Sequence, residues 1–295
     1  MDDMAVLITG GGGQLASDLD ERLRTGCDVT ALGHAELDVT DQAALADAFE
    51  RARPAVVFNC AAFHNVEACE REEDRSFAVN ARAVKRLAQL CAGAGATLVH
   101  LSTNYVFAGD RAAPYRETDL PDARSVYAIS KLAGEHAALA YAPSALVVRT
   151  AGLYGLHGSA SKGGNFVQRM TARAREQGAL KMVADQRLTP THTADLAECL
   201  VAAVDRGVRG LLHATNAGAC SWHEFTLAIM DIAGLEVPVE PTPTVRPPGG
   251  ADRPLNGVLS CRHALELGLP VRRPWREALE EYMTRAGLAA GAAVG

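Results

Sequence analysis

Short apolar runs recur along the first half of the chain, each followed by a segment of helical spacing. MAVLITG, CDVTALG, PAVVFNCAAFH, ATLVHLSTNYVF and SALVVRTAGLYG are the runs, and their near-continuous apolar character predicts strands buried on both faces. GGGQLASDLDERLRT, DQAALADAFERA, SFAVNARAVKRLAQLCAGAG and SVYAISKLAGEHAALA stand between them and read as helices. Regular strand–helix alternation predicts an α/β fold, a Rossmann-type doubly wound parallel sheet with helices on both faces.

Beyond about residue 151 the alternation loosens. A Gly-rich loop, HGSASKGGNFV, precedes a helix, QRMTARAREQG, and ALKMVADQRLTPTHTADLAECLVAAV offers a strand, a turn and an amphipathic helix. GLLHATNAG and SWHEFTLAIMDIAG repeat the pattern once, Ser221 and Glu224 forming a capping box. PTPTVRPPGGADRP has no periodicity and reads as a surface loop, and the chain end AGLAAGAAVG reads as frayed. The expected division is a dinucleotide-binding domain over 1–150, to which 191–216 returns, and a smaller, mainly substrate-binding lobe over 151–295.

Ligands of open parallel sheets bind at the carboxyl ends of the strands, so the strand ends carry the candidate chemistry. Gly10-x-x-Gly13-x-x-Ala16 lies between the first strand and the first helix. Glycines there permit a tight turn and let backbone N–H groups approach a pyrophosphate at the helix N-terminus. The second strand ends in Gly33 and His34, with neither the carboxylate that selects NAD nor an Arg or Lys for a 2′-phosphate. NADPH is the expected cofactor and NADH the alternative. Asp38 is placed either to accept a hydrogen bond from adenine or as a turn residue, with Thr40 or Asp41 capping the next helix. Small residues at Cys60-Ala61-Ala62 let the third strand's backbone lie against a dinucleotide. Asn80, inside an apolar helix, reads as a helix–sheet tie.

The fourth strand delivers Ser102, Thr103 and Asn104 to the rim, and Tyr127 and Lys131 stand four residues apart on one helix face. A fixed ammonium favours an ionised phenol, which predicts a lowered Tyr127 pKa and a proton donor for a reacting carbonyl.

Composition narrows the partners. The chain has 295 residues, 48% hydrophobic, enough for one large or two modest domains. A net charge of -6 gives no reason to expect nucleic acid or an anionic membrane. The 7 cysteines are scattered without a CxxC pair, which reads as reduced thiols in the cytoplasm. The N-terminus is acidic and enters a strand at once, unlike a secretory signal, and no apolar run approaches the roughly 18 residues that span a bilayer. His64, His100, His157 and His192 are dispersed along the chain, none paired with a carboxylate at metal-ligand spacing, so no metal is expected.

The ordered motifs resemble the extended short-chain dehydrogenase/reductases, and within them the dTDP-4-dehydrorhamnose reductase group. TGGGGQLA resembles the group's cofactor loop, ELDVTD its adenine segment, and NCAAFHNVEACE its N-A-A-x-T-x-V-D-x-A-E stretch. LSTNYVF is similar to S-T-D-Y-V-F, SVYAISKLAGE to V-Y-G-x-T-K-L-A-G-E, and RTAGLYG to R-T-S-W-x-Y-G. DQRLTPTHTADLA, SWHEF, RPLNGVLS and PWREAL match its later landmarks. The resemblance implies Tyr127 as proton donor and Lys131 as the residue that orients the nicotinamide ribose and tunes the tyrosine. It places Thr103 on the substrate carbonyl or the phenol. Gly13, Gln14 and Leu15 would contact the pyrophosphate, Asp38 and Val39 the adenine, and Ala62, Phe63 and His64 the nicotinamide side, with Gly10 and Ala61 also in the cofactor site. The implied reaction is hydride transfer to C4 of a nucleotide-linked 4-keto sugar.

Two positions depart from the group. Its Asp is Asn104 here, and its Trp is Gly152; both face the sugar in that resemblance, Asn104 turning an acceptor-only group into one that also donates, and Gly152 widening the pocket or freeing space for the substrate to bind differently. Arg253, ending the proline-rich stretch, would hold the substrate diphosphate or stand solvated. A sugar 4,6-dehydratase would need an Asp-Glu pair where Asn104 and Tyr105 stand, and a 4-epimerase matches the second half less. From another class, a relative of these reductases, the methionine adenosyltransferase beta subunit, is a regulatory partner; joint retention of Thr103, Tyr127 and Lys131 favours an enzyme. The expected partner is a nucleotide sugar, with neither nucleic acid nor membrane, and a homodimer is one option.

Overall fold

The structure is a computed structural model that describes residues 1, 3–157, 163–246, 248–270 and 273–291. The chain opens with β1 (Ala5–Thr9), α1 (Gln14–Leu23), β2 (Asp28–Leu32), α2 (Gln42–Ala52) and β3 (Val56–Asn59). It continues with α3 (Val66–Arg71), α4 (Glu73–Phe77), a π-helical turn (Ala78–Arg82), α5 (Ala83–Ala94) and β4 (Thr97–Thr103). Next come α6 (Val126–Tyr141), β5 (Leu146–Thr150), β6 (Leu153–Tyr154), α7 (Phe166–Gln177), β7 (Leu180–Val183), β8 (Arg187–Leu188) and β9 (Thr191–His192). The last are α8 (Thr193–Asp205), β10 (Gly210–His213), β11 (Cys220–Ser221), α9 (Trp222–Ala233), β12 (Val239–Thr242), α10 (Arg262–Glu266) and α11 (Trp275–Arg285).

Six of the strands make one parallel sheet in the order β10-β5-β4-β3-β1-β2. Its buried strands are the apolar runs of the sequence, and residues alternate between two cores. Val6 and Ile8 face a core shared with α1 and α8, where Leu19, Leu196 and Leu200 are buried. Leu7 faces the other, against Leu45 and Phe49 of α2, Leu87 of α5 and Ala138 of α6. From β1 the chain crosses to β2 on one side and returns to β3 on the other. Connections diverge there, which opens a crevice at the strand ends. A separate core of Tyr154, Phe225, Ile229, Leu279 and Tyr282 joins α7, α9 and α11. Capping follows sequence chemistry: Asp41 caps α2, Ser125 caps α6, and Ser221 with Glu224 forms the capping box of α9.

Several expectations change. The run SALVVRTAGLYG divides into β5 and β6 because Gly152 turns the chain at φ +56°. The long helix after residue 73 contains a π turn, which hydrophobic periodicity does not mark. The proline-rich stretch begins inside β12, paired parallel with β7, and its Ala251 is buried. Residues 286–290 are not frayed: the Leu288 N–H donates to Met283 O at 2.8 Å and the Ala290 N–H to Ile232 O at 2.8 Å. Residues 292–295 of that chain end, and 158–162 of the Gly-rich loop, lie outside the described residues. Among the described residues no helix is long and apolar enough to cross a membrane.

Candidate active site

The end of β4 supplies the centre. Ser102, Thr103 and Asn104 are buried there, and Thr103 Oγ1 accepts the Tyr105 N–H at 3.2 Å. Helix α6 starts beside it, its Val126 N–H donating to Glu70 Oε1 of α3 at 2.9 Å. Tyr127 therefore enters in the first turn, edge-on to the Tyr105 ring with centroids 5.7 Å apart. Lys131 follows one turn later, buried, its ammonium donating to Leu101 O at 2.6 Å and lying 3.5 Å from His100 Nε2. His100 in turn meets the Asn59 amide at 3.0 Å, and Asn59 accepts the Thr9 hydroxyl at 2.7 Å.

Electrostatics correct one expectation. Burial pushes the Tyr127 phenol well above the ordinary tyrosine value; the Thr103 hydrogen bond opposes this, and Tyr105 and Cys69 add to it. Desolvation of a phenolate outweighs any help from Lys131, which spends its charge on the Leu101 carbonyl. The same burial pulls Lys131 down to about 8, against the charge of Glu135 and a smaller contribution from Cys60.

A cavity of roughly 1490 Å³ runs along the strand ends and reaches Phe166, Arg169 and Trp222. All the residues proposed from sequence line it: Gly10, Gly13, Gln14, Leu15, Asp38, Val39, Ala61, Ala62, Phe63, His64, Thr103, Asn104, Tyr127, Lys131, Gly152 and Arg253. The glycine loop borders the cavity. Gly10 is at φ +76°, and a Cβ there would lie 2.8 Å from Ala61 N, so the glycine lets the loop pack against the end of β3. Helix α1 has no side-chain cap, so its first N–H groups face the cavity mouth without one.

Asp38 combines its two readings: Oδ1 accepts Thr40 N and Oγ1 at 2.9 and 2.7 Å, and the residue borders the cavity. These hydrogen bonds, then the charges of His34 and Arg75, hold its carboxyl below the usual range. Although Gly33 and His34 carry no carboxylate, Glu36 folds back and accepts the Gly33 N–H at 2.8 Å, so a carboxylate does stand at the end of β2. Arg75 was missed as well. Its guanidinium lies 4.6 Å over Phe63. Asn80 is a satisfied tie: its Oδ1 accepts the Phe63 N–H at 2.9 Å, and its amide donates to Phe63 O and Ser130 Oγ at 3.0 Å each.

Of the two departing positions, Asn104 uses the donor that an Asp lacks. Asn104 Nδ2 donates to Gly257 O at 3.0 Å. Gly152 does not simply widen the pocket: a Cβ there would meet Leu188 Cδ1 at 2.7 Å, so Leu188 occupies the space. Arg253 is part-exposed and does not stand alone: it donates to Glu67 Oε1 at 2.9 Å, with Tyr105 beside it. His192 lies beside Asp195, with Arg273 bridging Asp195 and Glu281. His157 Nε2 stands 3.9 Å from Asp18 and 3.8 Å from Glu21, a histidine–carboxylate grouping that the long separation in sequence conceals. Groups of this kind are common on surfaces without an ion.

A tyrosine, a buried ammonium and a threonine hydroxyl thus meet where a glycine loop of dinucleotide type enters the same cavity. That arrangement can protonate a carbonyl oxygen while hydride arrives at its carbon. Comparison with known proteins agrees. The model of the RmlD substrate binding domain matches residues 4–287. The dTDP-4-dehydrorhamnose reductase of Mycobacterium tuberculosis is 42% identical over 281 residues, 93% of this chain and 90% of that protein. A probable dTDP-4,6-dihydroxy-2-methyloxan-3-one 4-ketoreductase of Streptomyces antibioticus is 41% identical, covering 94% of each chain. The crystal structure of dTDP-4-dehydrorhamnose reductase from Bacillus anthracis, in complex with NADP, superposes with a TM-score of 0.90 at 32% identity, covering 96% of this chain and 99% of that one.

Proposed function

The chain belongs to the RmlD substrate-binding-domain family, and on that premise we propose that it is an NADPH-dependent reductase of a dTDP-linked 4-keto-6-deoxy sugar. The leading substrate is dTDP-4-dehydrorhamnose, reduced to dTDP-rhamnose. The observation that carries this reading is the convergence of Thr103, Tyr127 and Lys131 on the cavity that the glycine loop also enters.

The bound nicotinamide supplies the hydride. The Gly10–Gly13 loop borders the cavity where its pyrophosphate would lie, and the uncapped start of α1 favours the negative charge. As hydride adds to C4, the carbonyl electron pair moves onto oxygen, and Tyr127 gives that oxygen its proton. The buried phenol keeps this proton at neutral pH, as a donor requires. Thr103 hydrogen-bonds the phenol and so stabilises the phenolate that remains. Lys131 holds a positive charge one turn away and orients the cofactor ribose. Arg253, already a partner of Tyr105, is the guanidinium for the diphosphate, in exchange for Glu67.

Loss of reduced-nicotinamide absorbance with a panel of dTDP-4-keto-6-deoxy sugars tests the reading. Tyr127→Phe is expected to lower kcat by about 10²–10⁴-fold while leaving cofactor affinity near that of the unmodified protein. No turnover across the panel, with Tyr127→Phe indistinguishable, overturns it.

A further inference from the structure

Glu135 follows Lys131 by one turn and extends the face of α6 that carries Tyr127. Both Glu135 and Arg149 of β5 are 2% exposed. They form a bidentate pair, Arg149 Nε donating to Oε1 at 2.8 Å and Nη2 to Oε2 at 2.6 Å. Ser102 Oγ also donates to Oε1, at 2.5 Å. Ser102 immediately precedes Thr103, and Arg149 immediately precedes Thr150, whose neighbours Ala151 and Gly152 line the cavity. One carboxylate therefore joins the ends of two strands to the helix that carries the tyrosine and the lysine.

Packing alone does not call for this arrangement, since apolar residues of similar volume hold buried strands at least as well as an ion pair does. A buried carboxylate contributes something they lack, a fixed negative charge. We propose that Glu135 is a positioning residue for the Tyr127–Lys131 centre: clamped by Arg149 and Ser102, it fixes the end of β4 and supplies the counter-charge of the Lys131 ammonium.

The groups facing Lys131 are Glu135 from its own helix, His100 from β4 and Cys60 from the loop after β3. Burial keeps His100 neutral and holds the Cys60 thiol up at about 12. Of the three, the Glu135 carboxylate is the one that most opposes the burial that draws Lys131 down to about 8. Removing its charge leaves burial unopposed, so Lys131 must lose its proton at a lower pH.

NADPH binding, followed by nicotinamide fluorescence from about pH 6 to about pH 10, reads that titration without any sugar. Only the parallel measurement, the alkaline limb of kcat/KM, rests on the reductase reading. In a Glu135→Gln/Arg149→Met double variant neither half of the clamp is left buried without its partner, and melting is expected within a few degrees of the unmodified protein. Its alkaline limb of NADPH affinity is expected about one pH unit lower, whereas Glu135→Asp keeps the limb in place. A folded double variant with an unshifted limb overturns the proposal, because a purely structural clamp would change melting and not titration. Should the double variant not fold, Glu135→Asp decides, and a downward shift there overturns it. A shifted binding limb with no sugar turnover would sink the reductase reading and leave this one standing.

Discussion

Asn104 shows how one atom decides a residue. Its amide nitrogen donates to the Gly257 carbonyl at 3.0 Å, and a Cβ on Gly257 would lie 2.1 Å from that nitrogen. Asn104→Asp would set a carboxylate oxygen against a carbonyl in a buried place. The expected cost is about 1–3 kcal/mol in urea unfolding at neutral pH, shrinking at acid pH where a protonated Asp can donate. Equal stability of the two proteins at neutral pH would show that the amide does not need its partner. The difference from Asp was legible in the sequence; its consequence was not, because Gly257 lies 153 positions away. The same separation hides Glu67 from Arg253, 186 positions apart, so that the ion pair at the cavity is visible only in the fold. Tyr127 and Lys131 were legible because four-residue spacing on a helix is a local fact. Their protonation was not, since burial belongs to the folded whole.

Strand–helix alternation could be read from apolar runs because each element buries its own stripe. The π turn at Ala78–Arg82 could not, as it inserts one residue without altering the apolar pattern. Its purpose is visible only against α6. A Cβ on Gly134 would meet the Asn80 carbonyl at 2.1 Å and His100 Nε2 at 3.2 Å, so the helix carrying Lys131 lies directly on the turn. That turn in turn presents the Asn80 side chain to both backbone groups of Phe63. Gly134→Ala is therefore expected to lower stability by about 1–3 kcal/mol and to weaken NADPH binding, by thermal melting and fluorescence titration. Gly93→Ala is the matched comparison: it lies in α5 with nothing within 4 Å of its Cβ, and is expected to stabilise by about 0.5–1 kcal/mol. Equal effects at the two positions would remove the close approach as the cause.

Across the whole molecule, three interior histidines lie between the sheet and its surroundings. His100 sits beside Lys131 in β4, His192 precedes α8, and His213 ends β10 edge-on to Phe107 with ring centroids 5.8 Å apart. Burial holds all three below the usual histidine value, His213 at about 3, with the Arg149 charge its second cause. Unfolding releases each to titrate near 6.5, so between about pH 6.5 and about pH 3 the unfolded chain binds the extra protons. Stability then rises with pH through that window and is lost as pH falls, each histidine contributing up to about 1.4 kcal/mol per pH unit. Depressed carboxylates such as Glu67 and Glu281 act in the same direction but from a lower starting point. Their unfolded values lie near 4.5, so a decline that begins above pH 5 belongs to the histidines. Urea unfolding at steps from about pH 7.5 to about pH 5 is expected to show it, and His213→Gln, which cannot titrate, flattens the slope by up to one proton. An unchanged slope in a folded His213→Gln protein would mean that His213 takes its proton in the native state, against its complete burial.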